Sequence, residues 1–252
     1  MTSRAVLVTG SSRGLGRAIA WRFAAGGDRV AVHHRDSAAA AGEVAASLPG
    51  AGHVVVRADL ADPAAVRAMV DDAADRLGGL DVLVNNAGVY GSERAVPLLE
   101  AGYDQWLESW RRTFDVNLFG AANACWAAVR HLRAGGGRIV NVSSRGAFRG
   151  EPEQPAYGAS KAALNAMGQS LAVALAPLNI AVATVAPGFI ETDMAAGYLN
   201  GERGPAIRAQ SPFNRVAQPD EVAAAVHWLA SPDAVWASGA ILDMNGASYL
   251  RT

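Results

Sequence analysis

A single cysteine, Cys125, among 252 residues leaves no partner for an intrachain disulfide, and the five scattered histidines offer no pair at ligand spacing. A disulfide framework and a structural zinc are excluded, and no metal site is expected. An excess of charge of either sign is equally absent. Twenty-two basic and 23 acidic side chains give a formal net charge of -1, so there is no electrostatic footprint for nucleic acid or an anionic membrane. No stretch offers 18 apolar residues free of charge, and the apolar run Ala5 to Val8 is too short for a signal peptide. These absences lead to the expectation of a soluble, cytoplasmic protein. Interdomain linkers, low-complexity tracts and repeats of solenoid period are missing too, so one domain over residues 1–252 is expected. Lysine is almost absent: Lys161 is the only one, and every other basic residue is arginine.

At 51% hydrophobic and 18% charged, the chain is rich enough in apolar residues to bury a full core without staples. Short apolar or β-branched runs alternate with alanine-rich stretches of helical period. Strands are expected at Ala5 to Val8, Arg29 to His33, His53 to Arg57, Asp81 to Val84, Arg138 to Val142, Ile180 to Val185 and Ala240 to Asp243. Most are continuously apolar, as strands covered on both faces must be, so the pattern predicts an α/β fold with a doubly wound parallel sheet of about seven strands. Asp62-Pro63 opens one helix that Gly78-Gly79 ends, and Pro219-Asp220-Glu221 opens another that closes near Ser231-Pro232. Gly88 to Arg112 and Phe189 to Arg215 have broken periodicity and read as loops or lids.

The first strand runs into Thr9-Gly10-Ser11-Ser12-Arg13-Gly14-Leu15-Gly16, and a helical pattern follows at once. A strand, a glycine turn and a helix amino terminus form an anion site, because outward backbone N–H groups and the helix dipole favour negative charge. A pyrophosphate fits there, although the spacing is GxxxGxG and not GxGxxG. The same residues also satisfy GxSxG, the nucleophile elbow of a serine hydrolase with Ser12 as nucleophile. That fold needs strands ahead of the elbow, and only one precedes it here.

Tyr157 and Lys161 are four residues apart at the start of a long alanine-rich helical stretch, which puts both on one face. A phenol of pKa about 10 becomes a usable acid or base when positive charge beside it stabilises the phenolate. It then protonates a ketone oxygen as hydride reaches the carbon, or takes the proton of an alcohol. A nearby serine hydroxyl stabilises the charge on that oxygen. Of Ser143 and Ser144, the spacing to Tyr157 favours Ser144.

In these motifs the chain resembles the short-chain dehydrogenase/reductase family essentially end to end. Besides the glycine loop and the Tyr157/Lys161 pair, it has Asp59-Leu60 after the third strand, Asn85-Asn86-Ala87-Gly88 after the fourth, Asn117 in a helical stretch, and Pro187-Gly188-Phe189-Ile190-Glu191-Thr192 after the sixth. The resemblance implies a Rossmann-type fold and a catalytic set of Asn117, Ser144, Tyr157 and Lys161, with Asn117 linking Lys161 to solvent through a water. It implies a nicotinamide cofactor held by Gly10, Ser12, Arg13, Gly14, Leu15, Gly16, His34, Arg35, Asp59, Leu60, Asn86, Ala87, Gly88, Tyr157, Lys161, Pro187, Gly188, Ile190 and Thr192.

An acidic residue at the end of the second strand would select NAD(H) by binding the ribose 2'-OH. His34 stands at that position, Arg35 follows, and Arg13 lies in the glycine loop, so NADP(H) is expected over NAD(H) through two guanidinium groups on a 2'-phosphate. Asp36 lies two residues beyond the usual acid. Residues Pro187 to Met194 and Gln218 to Ala223 are similar to 3-oxoacyl-[acyl-carrier-protein] reductases, yet Gly135 and Leu178 stand where those enzymes carry carrier-docking arginines. Arg133 is a possible substitute for the first. A carbonyl reductase or alcohol dehydrogenase acting on a free ketone or alcohol is therefore as well supported as one acting on a carrier thioester. Substrate contacts are expected from Val89 to Glu100, with Tyr90 and Arg94, from Arg145 to Pro155, with Phe148, Arg149, Glu151 and Glu153, and from a lid over residues 189–215. The family resemblance implies a homodimer or homotetramer. A non-catalytic NADP-binding sensor on the same fold is the other alternative, and the complete catalytic set argues against it.

Overall fold

The computed structural model describes residues 3–90, 98–132 and 137–251. Arg94, Arg133 and Gly135 lie outside them. Seven parallel strands, β1 (Ala5–Val8), β2 (Arg29–His34), β3 (Val54–Arg57), β4 (Val82–Asn85), β5 (Arg138–Val142), β6 (Ala181–Pro187) and β7 (Ile241–Met244), pair in the order β3-β2-β1-β4-β5-β6-β7. Helices α1 (Gly14–Ala25), α2 (Ala38–Ser47), α3 (Pro63–Leu77), α4 (Tyr103–Phe114), α5 (Ala121–Ala128), α6 (Gly146–Arg149), α7 (Pro155–Leu175), α8 (Asp193–Leu199), α9 (Gly204–Arg208) and α10 (Pro219–Leu229) complete the chain. None of the described helices is long and apolar enough to cross a membrane.

The continuous apolar character of the strands has a direct structural cause. In β1, Ala5 and Leu7 enter the core beneath α3, α5 and α7, whereas Val6 and Val8 enter the core beneath α1 and α10. A strand covered on both faces cannot alternate apolar with polar residues. From β1 the chain winds outward through β2 and β3, then returns to β4 on the other side of β1 and winds the opposite way. The crevice at the carboxyl ends of β1 and β4 is the topological switch point of an open α/β sheet.

Two segments expected as irregular are partly helical. Helix α4 begins within the first, and its inner edge is an i, i+4 ladder in which the Trp106 and Trp110 rings, and the Trp110 and Phe114 rings, lie 5.7 Å apart. That period is present in the sequence, but the glycines, Pro97 and polar residues ahead of Tyr103 break it over the wider segment. The second contains α8 and α9, of 7 and 5 residues, too short to register a helical period. Asn117 lies in a π-helical turn, Asp115–Gly120, that joins α4 to α5. Gly120 closes that turn against Leu60, whose backbone oxygen would lie 2.8 Å from a Cβ there.

His33 joins the first three strands at their functional ends. The Gly10 N–H donates to its Nδ1 at 2.8 Å, so Nε2 carries the proton and donates to the Ala58 carbonyl at 3.1 Å. The Ser11 hydroxyl accepts from the His33 N–H and donates to the Val8 carbonyl. Burial pushes the imidazole pKa from 6.5 down to about 4. The unfolded chain therefore takes up this proton first, so the contribution to stability is full above about pH 6.5 and is lost as pH falls toward 4. At about 1.4 kcal/mol per pH unit it amounts to about 3 kcal/mol. Denaturant unfolding across this range should show that decline, and His33→Asn should flatten it; an unchanged slope in the variant would assign the loss to other groups.

Candidate active site

A cleft of about 600 Å³ runs along the carboxyl ends of the strands, from the end of β2 past the β1/β4 switch point to α8. At its centre the glycine loop folds back on itself. Gly10 and Gly14 have φ of 66° and 54°, in the left-handed region. A Cβ on Gly16 would lie 2.2 Å from the Gly10 carbonyl oxygen, so only glycine permits this approach. No side chain caps the first turn of α1, which leaves its backbone N–H groups to an anion. Asn86 fixes the loop from β4 by donating through Nδ2 to the Thr9 and Gly10 carbonyls, while Thr9 Oγ1 accepts from the Asn86 and Ala87 N–H groups. Ser12 lines the cleft, but the imidazole that meets this loop, His33, has both ring nitrogens engaged and is no base for it.

Past the loop, the cleft reaches the amino-terminal turns of α7. Pro155 starts the helix, and Tyr157 and Lys161 project from one side of it. The Lys161 side chain is only 4% exposed. Its Nζ donates to the Val142 carbonyl at 2.8 Å and sits 5.8 Å from the centre of the Tyr157 ring. Burial pushes this ammonium down to about 8 and the Tyr157 phenol up to about 12. The Ser144 hydroxyl hydrogen-bonds the phenol and opposes that rise, whereas the Glu151 carboxylate reinforces it. Ser143 is buried and donates to the Lys161 carbonyl at 3.2 Å, so of the two serines only Ser144 faces the phenol.

Every residue expected to hold a nucleotide lines this one cleft, and so do Ser144, Tyr157 and Lys161. Asn117 does not. It lies behind the wall, where its Oδ1 accepts from the Val89 N–H at 2.8 Å and its Nδ2 donates to the Val89 carbonyl and the Ser160 hydroxyl. This holds the backbone so close that a Cβ on Gly88 would stand 3.2 Å from the Asn117 oxygen and 3.4 Å from Lys161 Nζ.

The family model described as enoyl-(acyl carrier protein) reductase matches residues 10–246. A cis-4-hydroxycyclohexanecarboxylate dehydrogenase of Sinomonas cyclohexanicum is 39% identical over 246 residues, covering 96% of this chain and 95% of its own. A 3-oxoacyl-[acyl-carrier-protein] reductase of Synechocystis is 36% identical over 255 residues, covering 99% and 98%. The crystal structure of a short-chain dehydrogenase from Burkholderia cenocepacia in complex with NADP superposes with a TM-score of 0.87 at 39% identity, covering 97% of each chain. The chain belongs to the short-chain dehydrogenase/reductase family.

Beyond the family motifs, the cleft wall includes residues of the expected substrate-contact segments and a carboxylate past the end of β2. Asp36 also lines it, and its carboxylate pairs with the Arg35 Nε at 2.5 Å, so that guanidinium is not free at the end of β2. Arg145, next to Ser144, is 4% exposed; its guanidinium donates to Ser248 and Gln210 and lies 5.3 Å from the centre of the Phe189 ring. Burial pushes its pKa down to about 10. Tyr90 stands edge-on to Tyr157 at 4.7 Å and to Tyr198 of α8 at 5.9 Å, and donates to Glu151 at 3.3 Å. The Arg35 and Asp36 pair is local, whereas the contacts of Arg145 and Tyr90 depend on long-range packing, for which the sequence carries no local pattern.

Proposed function

We propose that this short-chain dehydrogenase/reductase transfers hydride between NADP(H) and a ketone or secondary alcohol, with Tyr157 as general acid and base. The observation that carries this reading is the Tyr157 phenol, hydrogen-bonded by Ser144 and set above a buried ammonium, at one end of a cleft whose middle is an uncapped helix terminus.

The residues present fit a dinucleotide, because the side-chain-free approach of Gly16 to Gly10 and the open first turn of α1 form a pyrophosphate cradle. Gly10, Ser12, Gly14, Leu15 and Gly16 would hold the phosphates, Asp59 and Leu60 the adenine, and Asn86, Ala87, Gly88, Pro187, Gly188, Ile190 and Thr192 the remainder. When bound, the nicotinamide supplies the hydride and, in its oxidised form, a positive charge. Lys161 would hold its ribose and stabilise phenolate at Tyr157. Protonation of Lys161 at neutral pH follows from its pKa of about 8. Ser144 donates to the oxygen that gains charge, and Tyr157 delivers or removes the proton there. Asn117, holding Gly88 and Val89 against Lys161, is the relay position toward solvent.

The NADP(H) preference rests on Arg13 and Arg35 at the β2 end, with the Asp36 carboxylate competing for Arg35. Leu178, exposed after α7, gives an acidic carrier protein no charge to meet, which favours a free small ketone or alcohol. Residues 189–215 would act as a lid that excludes water, tied to the body by Gln210 on Arg145 and by Arg203 on Glu153 at 2.5 Å. Exposed Phe119, Trp126 and Val173, on the outer faces of the π turn, α5 and α7, support association into a homodimer or homotetramer.

Tyr157→Phe should lower ketone reduction by about a hundredfold or more while fluorescence titration finds NADPH affinity retained. A loss of only a few-fold would reject the acid/base role. Arg35→Ala should raise the Kd for NADPH by about tenfold and leave that for NADH nearly unchanged. Equal losses would reject the phosphate clamp.

A further inference from the structure

Among the described residues, Glu151 is the one carboxylate on the wall of the cleft whose charge acts on Tyr157. The chain reaches it from α6 through Gly150, whose φ of 80° is open to glycine, and its side chain lies against Gly146, where a Cβ would come 2.5 Å from Oε1. Gly150 thus turns the chain and Gly146 makes room for this carboxyl group on the wall beside the phenol. It is close enough that its charge opposes ionisation of Tyr157.

A carboxylate offers about four acceptor positions. Among the described residues, the only hydrogen bond to the Glu151 carboxylate is the long one from the Tyr90 hydroxyl to Oε2, at 3.3 Å. The two guanidinium groups within electrostatic reach are used elsewhere: Arg145 donates to Ser248 and Gln210, and Arg149 donates to Gln210. Neighbouring Glu153 differs, being paired with Arg203 on both oxygens. The half-buried Glu151 carboxyl group therefore keeps acceptor positions open to the cleft, where water or a bound molecule can fill them. The donors it lacks are available from a molecule in the cleft.

We propose that Glu151, oriented by Tyr90, is the specificity-determining residue of this cleft, accepting a hydrogen bond from a hydroxyl group on the substrate, so that the substrate class is uncharged hydroxylated ketones and the corresponding diols. This deepens the dehydrogenase reading given above and rests on it. An anionic oxoacid meets repulsion from Glu151. An ammonium gains less, because the Arg145 and Arg149 charges already act on the carboxylate. The walls suit a cyclic or aromatic carbon frame, since Tyr90, Tyr157, Tyr198 and Phe189 surround the position.

The test compares kcat/KM with NADPH for cyclohexanone, its 2-, 3- and 4-hydroxy derivatives and 4-oxocyclohexanecarboxylate, in the parent, Glu151→Gln and Glu151→Leu. In the parent, at least one hydroxyketone should exceed cyclohexanone by about tenfold. That ratio should collapse to near unity in Glu151→Leu and survive in part in Glu151→Gln, which keeps a carbonyl acceptor. A separate readout needs no turnover: calorimetry in the presence of NADPH should find cyclohexanediol bound about tenfold more tightly than cyclohexanol, with the difference lost in Glu151→Leu. A ratio unaltered by Glu151→Leu, or a best substrate that is the carboxylate, overturns the inference and leaves the dehydrogenase reading standing. Glu151-dependent diol binding without reduction of any ketone would uphold the hydroxyl site and overturn the dehydrogenase reading instead.

Discussion

The burial of the Lys161 ammonium beside the Tyr157 ring constrains everything around it. An unpaired ammonium in an apolar interior is costly, so its surroundings must supply acceptors without an opposing carboxylate that would cancel its charge. The Val142 carbonyl at the end of β5 supplies one. Gly88, held by Asn117, brings the β4 loop to the other side without a Cβ in the way. Ser143 bonds the backbone of α7 at Lys161 and so fixes the helix against the end of β5. The doubly wound sheet is what places the ends of β4 and β5, and the glycine loop of β1, along one crevice.

Much of this was legible in the sequence because it depends on local chemistry. The strands betray themselves as continuous apolar runs, and the switch between cores within β1 explains why. The glycine loop, the tyrosine and lysine pair and the strand-end motifs carry their own spacing, and the structure brings nearly all of them to one cleft. What stayed hidden depends on distance in space. The short α8 and α9 leave no period, and the π turn at Asn117 has no residue signature. The spacing to Tyr157 favours Ser144 over Ser143, but their partners, the phenol for Ser144 and the Lys161 carbonyl for Ser143, follow only from the packing of α7.

The two ends of the cleft differ in how they treat charge. At the β2 end, Arg35 and Asp36 are both exposed and already bound to one another, so a ligand phosphate must compete with a carboxylate for the guanidinium. At the α7 end Lys161 and Arg145 are buried and Glu151 is half-buried, so these charges are better insulated from water. There the Glu151 charge opposes ionisation of the phenol, while the Arg145 and Arg149 charges favour the ionised form of Glu151. The same low-dielectric setting that raises the Tyr157 pKa also strengthens every hydrogen bond made there.

The most direct test follows the Tyr157 phenol itself. Tyrosine labelled with carbon-13 at Cζ, with the signal assigned by its loss in Tyr157→Phe, can be titrated by NMR in the free protein and with oxidised nicotinamide nucleotide bound. The phenol is expected to ionise near 12 in the free protein and below the ordinary value of about 10 once the second positive charge joins Lys161. The same pKa in both states would contradict a phenol governed by the cations beside it.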